Sequence, residues 1–477
     1  DDVNWAQRFS SLASELQVRS VLREAAPLYE HALAIREEKL GPTHPGTAQS
    51  LNNLACLLQA QGVYGKAAPL YERAVSIREE KLGPKHPLTA KSFGNLALLF
   101  KTQGDYDKAA PLYERALSID EEVLGPTHPD TATSLNNLAM LLKAQGDYDK
   151  AAPLYARALA IREDVLGPTH PSTATSLNNL ASLLQAQGKF AEAAPLFERA
   201  LAIREEVLGP PHPNTAKSYG NLASLLRDQG KLAEAAPLYA RALAIHEEAL
   251  GPTHPLMATS LNNLAGLLKA QGDYGKAAPL YERALAICEE TLGPTHPLTA
   301  ASLNNLAGLL EDQGKLAEAV PLYKRVLGIR EERLGPTHPD TAQSLNNLAL
   351  LLQAQGKLAE AAPLYERALA IFEEKLGPKH PHTATSLDNL ACLLEAQGDY
   401  GKAAPLYKRV LGIREERLGP THPDTATSLN NLASLLQAQG KLAEAAPLYE
   451  RVLAICEEKL GPKHPLTVKS RNNLAAL

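Results

Sequence analysis

Residues 131–171 read TATSLNNLAMLLKAQGDYDKAAPLYARALAIREDVLGPTHP, and the same pattern returns every 42 residues along the chain. An A-[AV]-P-L-[YF] box marks each copy, at Pro27, Pro69, Pro111, Pro153, Pro195, Pro237, Pro279, Pro321, Pro363, Pro405 and Pro447. A fixed period in this range is the mark of a solenoid: each unit cannot bury its apolar face alone, and stacking neighbours does it instead. The 477 residues are therefore read as one array and not as several globular domains.

Within a copy the pattern predicts two helices. Pro45 suits a first helical turn, where its missing N–H costs nothing. Leu51, Leu54, Ala55 and Leu58 recur at helical spacing on one face of helix A. Gly62 ends that helix by accepting a left-handed conformation. Helix B is expected from about Tyr64 to Leu82, with Ala67, Leu70, Tyr71, Ala74 and Ile77 inward and Gly83-Pro84 as the stop.

Residues 1–43 form a worn first copy in which Ser10-Ser11 replaces an Asn-Asn pair and Ser20 replaces the turn glycine. Ten regular copies fill residues 44–463, and 464–477 hold the first helix of a further one. A stop inside a copy leads us to expect a piece of a longer chain. More repeats, a capping helix or self-association would then cover Leu474 and Leu477.

These positions resemble the tetratricopeptide repeat: Leu51, Leu54, Ala55, Leu58, Ala67, Tyr71 and Ala74 fall on its signature places, copy after copy. The period exceeds the usual length of about 34 residues by a longer helix B and an L-G-P-x-H-P loop. That form resembles the kinesin light chain type, also found in NB-ARC- or NACHT-linked proteins. The resemblance implies an all-α, right-handed superhelical solenoid of antiparallel helix pairs that binds protein or peptide in a concave groove lined by helix A. No heptad segment of the kind that binds a motor chain stands in the sequence, and the copies outnumber those of kinesin light chains. A motor-cargo adaptor is therefore not the expectation.

On a helical wheel, positions 49, 53, 56 and 60 oppose the apolar face, with 52 and 59 flanking. The second asparagine of the pair is unbroken through Asn53, Asn95, Asn137, Asn179, Asn221, Asn263, Asn305, Asn347 and Asn389 and beyond. The first includes Asn136, Asn178, Asn262, Asn304 and Asn346. Asparagine is a mediocre helix former. Its recurrence mid-helix points either to an amide that holds a peptide backbone or to one that joins neighbouring helices. The resemblance implies the former. Lys91, Lys101, Lys143, Lys217, Arg227 and Lys269 make the N-terminal half of this face basic, against Asp228. Glu311, Asp312, Asp388 and Glu395 make the C-terminal half acidic, against Lys469. A ligand acidic toward the N-terminal half follows from charge complementarity.

Other chemistries find little support. A net charge of −5 gives no general attraction to nucleic acid or anionic membrane. Four scattered cysteines, Cys56, Cys288, Cys392 and Cys456, suit a reduced, cytoplasmic setting. The recurrent loop histidines, His44 and its equivalents, lack acidic or cysteine partners at ligand spacing and read as packing and capping groups, so neither metal nor cofactor is expected. The run Gly308-LLEDQ-Gly314-Lys315-Leu316 misses the phosphate-loop spacing. A site copied eleven times is not expected to be catalytic. The expectation is a non-enzymatic scaffold that binds protein or peptide. The alternatives are the sensing region of a larger NTPase receptor and a structural array that assembles through its ends.

Overall fold

The computed structural model describes residues 2–462 and 465–476, so His464, Pro465's side chain and Leu477 lie outside what is said here. Among the described residues there are 23 helices and no strand. Two compact units, residues 1–336 and 337–477, are each a run of helix pairs. No helix is long and apolar enough to cross a membrane.

The sequence punctuation sets the boundaries. Helix A of the second copy is Pro45–Ala60 and helix B is Tyr64–Leu82. Proline occupies the first helical turn, and Gly62 between the helices takes φ +70°. The preceding His44 caps helix A: its ring Nδ1 accepts the backbone N–H of Gly46 at 3.0 Å. Nine further copies repeat that cap, from His86 to His422. The imidazole thus does the work more often done by Ser, Asp or Asn. The histidines are caps, as their loop position implied.

Small residues let the helices close up. Ala139 and Ala151 are fully buried with Tyr155 between them, and Leu183 of the next copy completes the cluster. The same four-residue unit recurs as Ala181, Ala193, Phe197, Leu225 and as Ala223, Ala235, Tyr239, Leu267. Each core therefore belongs to two copies, which makes stacking obligatory. Helix A also approaches helix A of the next copy, so the A helices gather on one side. On the opposite side, helix B is tied to the preceding helix B by exposed ion pairs, among them Arg115–Glu79 and Arg199–Glu163, both at 2.6 Å. Such exposed pairs contribute little each.

A buried seam joins the copies more firmly. In helix B, Arg36, Arg78, Arg162, Arg204 and Arg414 turn inward. The Arg204 guanidinium donates to Asn214 O at 3.1 Å, Ser218 Oγ at 2.9 Å and Thr175 Oγ1 at 3.1 Å. One planar fork thereby links helix A of its own copy to helix A of the next. Desolvation holds this guanidinium below its ordinary pKa.

Within residues 1–336 the solenoid curls until its beginning meets its later loops. Ser20 Oγ lies 2.9 Å from His254 Nε2, and Ala60 O lies 3.0 Å from His296 Nε2. Because Nδ1 of each ring accepts a cap N–H, Nε2 carries the proton and donates. Gly62 sits in this contact: a Cβ there would lie 2.7 Å from Pro297 Cδ, whereas one on Gly230, at φ +75°, meets open space. Gly230→Ala is expected to cost about 1–2 kcal/mol from left-handed strain alone. Gly62→Ala is expected to cost more and to loosen the coil. Urea denaturation and small-angle scattering test this: an unchanged radius of gyration for Gly62→Ala would count against the contact.

Candidate interaction groove

The exposed face of helix A is the one the wheel indicated. Gln49, Cys56 and Ala60 are exposed, and Asn53 is half-buried between them. Equivalent exposed groups are Lys91, Thr133, Thr175, Lys217 and Thr259. With the A helices gathered on one side, these positions form a continuous strip.

The two asparagine series separate. Asn136, Asn178 and Asn346 are buried beneath the strip, and Asn262 and Asn304 are half-buried. Asn178 Nδ2 donates to Ala174 O at 2.9 Å and to Ser218 Oγ of the next copy at 3.4 Å. Asn136 and Asn262 bond to Ser176 and Ser302 in the same way. The second series is half-buried throughout, at Asn53, Asn95, Asn137, Asn179, Asn221, Asn263, Asn305, Asn347 and Asn389. Several of these also reach backwards: Asn95 donates to Asn52 at 2.8 Å, Asn179 to Asn136 at 3.3 Å and Asn221 to Asn178 at 3.1 Å. The pair is thus a ladder between copies. The first asparagine lies under the groove floor, not on it, because the next helix A covers its flank of the wheel.

The groove cations also divide. Lys269 Nζ is held by Asp312 at 3.2 Å and by Gly308 O at 2.8 Å. Arg227 is held by the adjacent Asp228 at 3.2 Å. Neither offers an uncompensated charge, so the even basic half read from the sequence contracts. Lys217 is exposed. Lys143 Nζ donates to Ser182 Oγ at 2.6 Å and Ser182 O at 2.9 Å, with no carboxylate. Burial, and then the Lys101 ammonium, pull the Lys143 pKa down to about 8. Burial also lowers that of Lys101.

Beside Lys101 stands a buried hydroxyl. In six copies the helix-B tyrosine donates to a Gln or Glu on helix A, as Tyr71 does to Gln59 at 3.1 Å and Tyr323 to Glu311 at 3.0 Å. Lys101 replaces that acceptor, and Tyr113 Oη has no partner among the described residues. A buried orphan hydroxyl is short of a partner. Among the described residues no cluster of three or more His, Cys, Asp or Glu comes together as a metal site.

A family model for the tetratricopeptide repeat matches residues 12–80, 57–122, 102–164, 130–206, 172–248, 214–290, 256–332, 298–374 and 340–416, and a second model of the same repeat matches 425–466. The chain belongs to the tetratricopeptide repeat family. Arrays of this family generally serve as protein-interaction scaffolds. The chain is similar to the nearly identical TPR-like repeats assigned to a kinesin light chain of Podosopora anserina, with 34% identity over 43% of this chain and 97% of that one, at a TM-score of 0.38. It is also similar to BtubC (BKLC) from P. vanneervenii, with 25% identity over 50% of this chain and 92% of that one, at a TM-score of 0.40. No curated protein matches it.

The sequence reading missed the inward position of helix B that carries Arg36, Arg78, Asp120, Arg162, Arg204, His246, Cys288, Arg330, Phe372, Arg414 and Cys456. Its signal was present. The neighbouring inward places vary only between Ala and Val or Tyr and Phe, or stay Ile, while this one changes size and charge sign from copy to copy.

Proposed function

We propose that the array is a non-enzymatic recognition scaffold that holds an extended peptide along helix A, with an acidic residue of the peptide at Lys101 and Lys143. The observation that carries this reading is the trio Lys101, Lys143 and Tyr113: among the described residues the two neighbouring ammonium groups have no carboxylate, and the Tyr113 hydroxyl, where other copies pair it with the residue that Lys101 replaces, is buried without a partner. A carboxylate placed there would satisfy all three and restore the Lys143 charge. The exposed flanks of the second asparagine series, Asn95 and Asn137 nearest the trio, supply amides for the peptide backbone.

Lys101→Glu with Lys143→Glu is expected to abolish capture of acidic peptides, while Lys269→Glu, already neutralised by Asp312, has a smaller effect. Affinity of the unaltered protein for an acidic peptide is expected to fall as pH rises through about 8, where Lys143 loses its proton. Titration calorimetry across that range tests both. Equal affinity in the double variant would sink the reading.

A further inference from the structure

In the seam between copies, Asp120, His246, Cys288, Phe372 and Cys456 stand where the other copies carry arginine, and at Cys288 the acceptors face a cavity. At this inward place of helix B, an arginine guanidinium reaches a carbonyl ten residues on and a serine fourteen residues on, as Arg78 does with Leu88 O and Ser92 Oγ and Arg414 with Asp424 O and Ser428 Oγ. Arg36, Arg162 and Arg204 repeat both bonds, and all four add a third to a side chain of their own helix A, Gln49 in the case of Arg78. None of these four has a carboxylate among those partners, so neutral acceptors suffice to hold the group.

At Cys288 the side chain ends short. A cavity of about 170 Å³ opens above it, lined by Thr259, Asn262, Asn263, Leu298, Ala301, Ser302 and their neighbours. Leu298, Ser302 and Thr259 are the residues that correspond to the partners of Arg204: Asn214, Ser218 and Thr175. Asn262 adds a buried Oδ1 with no partner among the described residues. Cys288 forms the floor at 1% exposure, and the exposed Thr259 and half-buried Asn263 and Ala301 belong to the groove face. A cavity of roughly 150 Å³ accepts benzene, so a planar guanidinium with its last methylenes fits the space.

We propose that the cavity above Cys288 is a guanidinium site that takes an arginine side chain from a peptide lying in the groove. The occupant's being a peptide rests on the groove reading above; the affinity of the cavity for a free guanidinium does not. The array thus completes in trans the bonds that Arg78, Arg162 and Arg204 make in cis. The position also gives the peptide a direction, with its acid at Lys101 and Lys143 and its arginine toward Cys288. A second cavity, of about 140 Å³ above Cys456, carries Lys469 in its lining and repels a cation.

Titration of the whole chain with methylguanidinium, followed by NMR, tests the site. Saturable binding is expected for the unaltered protein and for Cys288→Ser. It is expected to vanish in Cys288→Arg, which supplies its own guanidinium, and in Cys288→Phe, which fills the space as Phe372 does in its copy. Cys456→Arg should leave it unchanged. Methylammonium, which lacks the planar fork, should not compete. An acidic peptide with one arginine should bind at least about tenfold tighter than its citrulline counterpart. Absence of saturable methylguanidinium binding, or binding unaltered by both Cys288→Arg and Cys288→Phe, overturns the proposal. Intact methylguanidinium binding with no peptide capture overturns the groove reading instead.

Discussion

Replacing Arg204 by alanine is expected to destabilise the array by about 3 kcal/mol, the sum of a deleted buried side chain and the loss of hydrogen bonds to a charged group. The guanidinium spans two copies through Thr175, Asn214 and Ser218. Its removal leaves those acceptors facing a void like the one above Cys288. Burial opposes the charge, as the lowered Arg204 pKa shows, so part of the loss is offset. The offset is partial because the fork fills the space and bonds three acceptors at once. In an array whose copies contact only their neighbours, the damage falls on one interface. Hydrogen exchange should show protection lost in the helices Phe190–Leu208 and Pro213–Asp228, which meet at Arg204, and retained elsewhere. Denaturant melts that shift by less than about 0.5 kcal/mol would refute this account. Arg199→Ala on the exposed ion-pair side serves as the contrast, with an expected cost of about 0–1 kcal/mol.

Mild acid is expected to unfasten the helix caps at His254 and His296. Each capping histidine uses the Nδ1 lone pair, so protonation destroys the cap. Burial holds His254 and His296 below the ordinary imidazole pKa, although the acceptor carbonyls of Val18 and Ala60 raise them. For a histidine with a depressed folded pKa, the stability is present above the unfolded value near 6.5 and is lost as pH falls through the folded one. Each lost cap costs roughly 1 kcal/mol. Burial lowers the His422 pKa as well, and Asp424, 3.8 Å away, offsets part of that shift. Urea melts from pH 8 to 5 test this, with His→Asn caps at His254 and His296 as controls. A flat profile in the unaltered protein would refute the account.

The helix pairs were legible because Pro45, Gly62 and Gly83 and their equivalents punctuate every copy, and those effects are local. The exposed strip of helix A was legible for the same reason. What a single helix cannot reveal is what its neighbour covers. Asn136 and Asn178 looked like groove residues on the wheel and are buried by the following helix A. Arg204 carries no mark of its own within one charged helix and is the bolt of the seam. Lys269 looked free until Asp312, one copy on, came within reach. The coil contact was the least legible. Ser20 and His254 are brought together only by the small rotations of several stacked copies, added up.

That contact also gives residues 1–336 the mechanics of a closed spring. Successive coils there are latched by the bonds of His254 and His296 and by the close fit of Gly62 on Pro297, and each bond contributes only about 1 kcal/mol net. The copies themselves are held by continuous buried cores. Tension between the ends of this unit therefore releases the latches first and lengthens the coil while every helix stays folded. Return is elastic, because the cores that set the curvature are never broken.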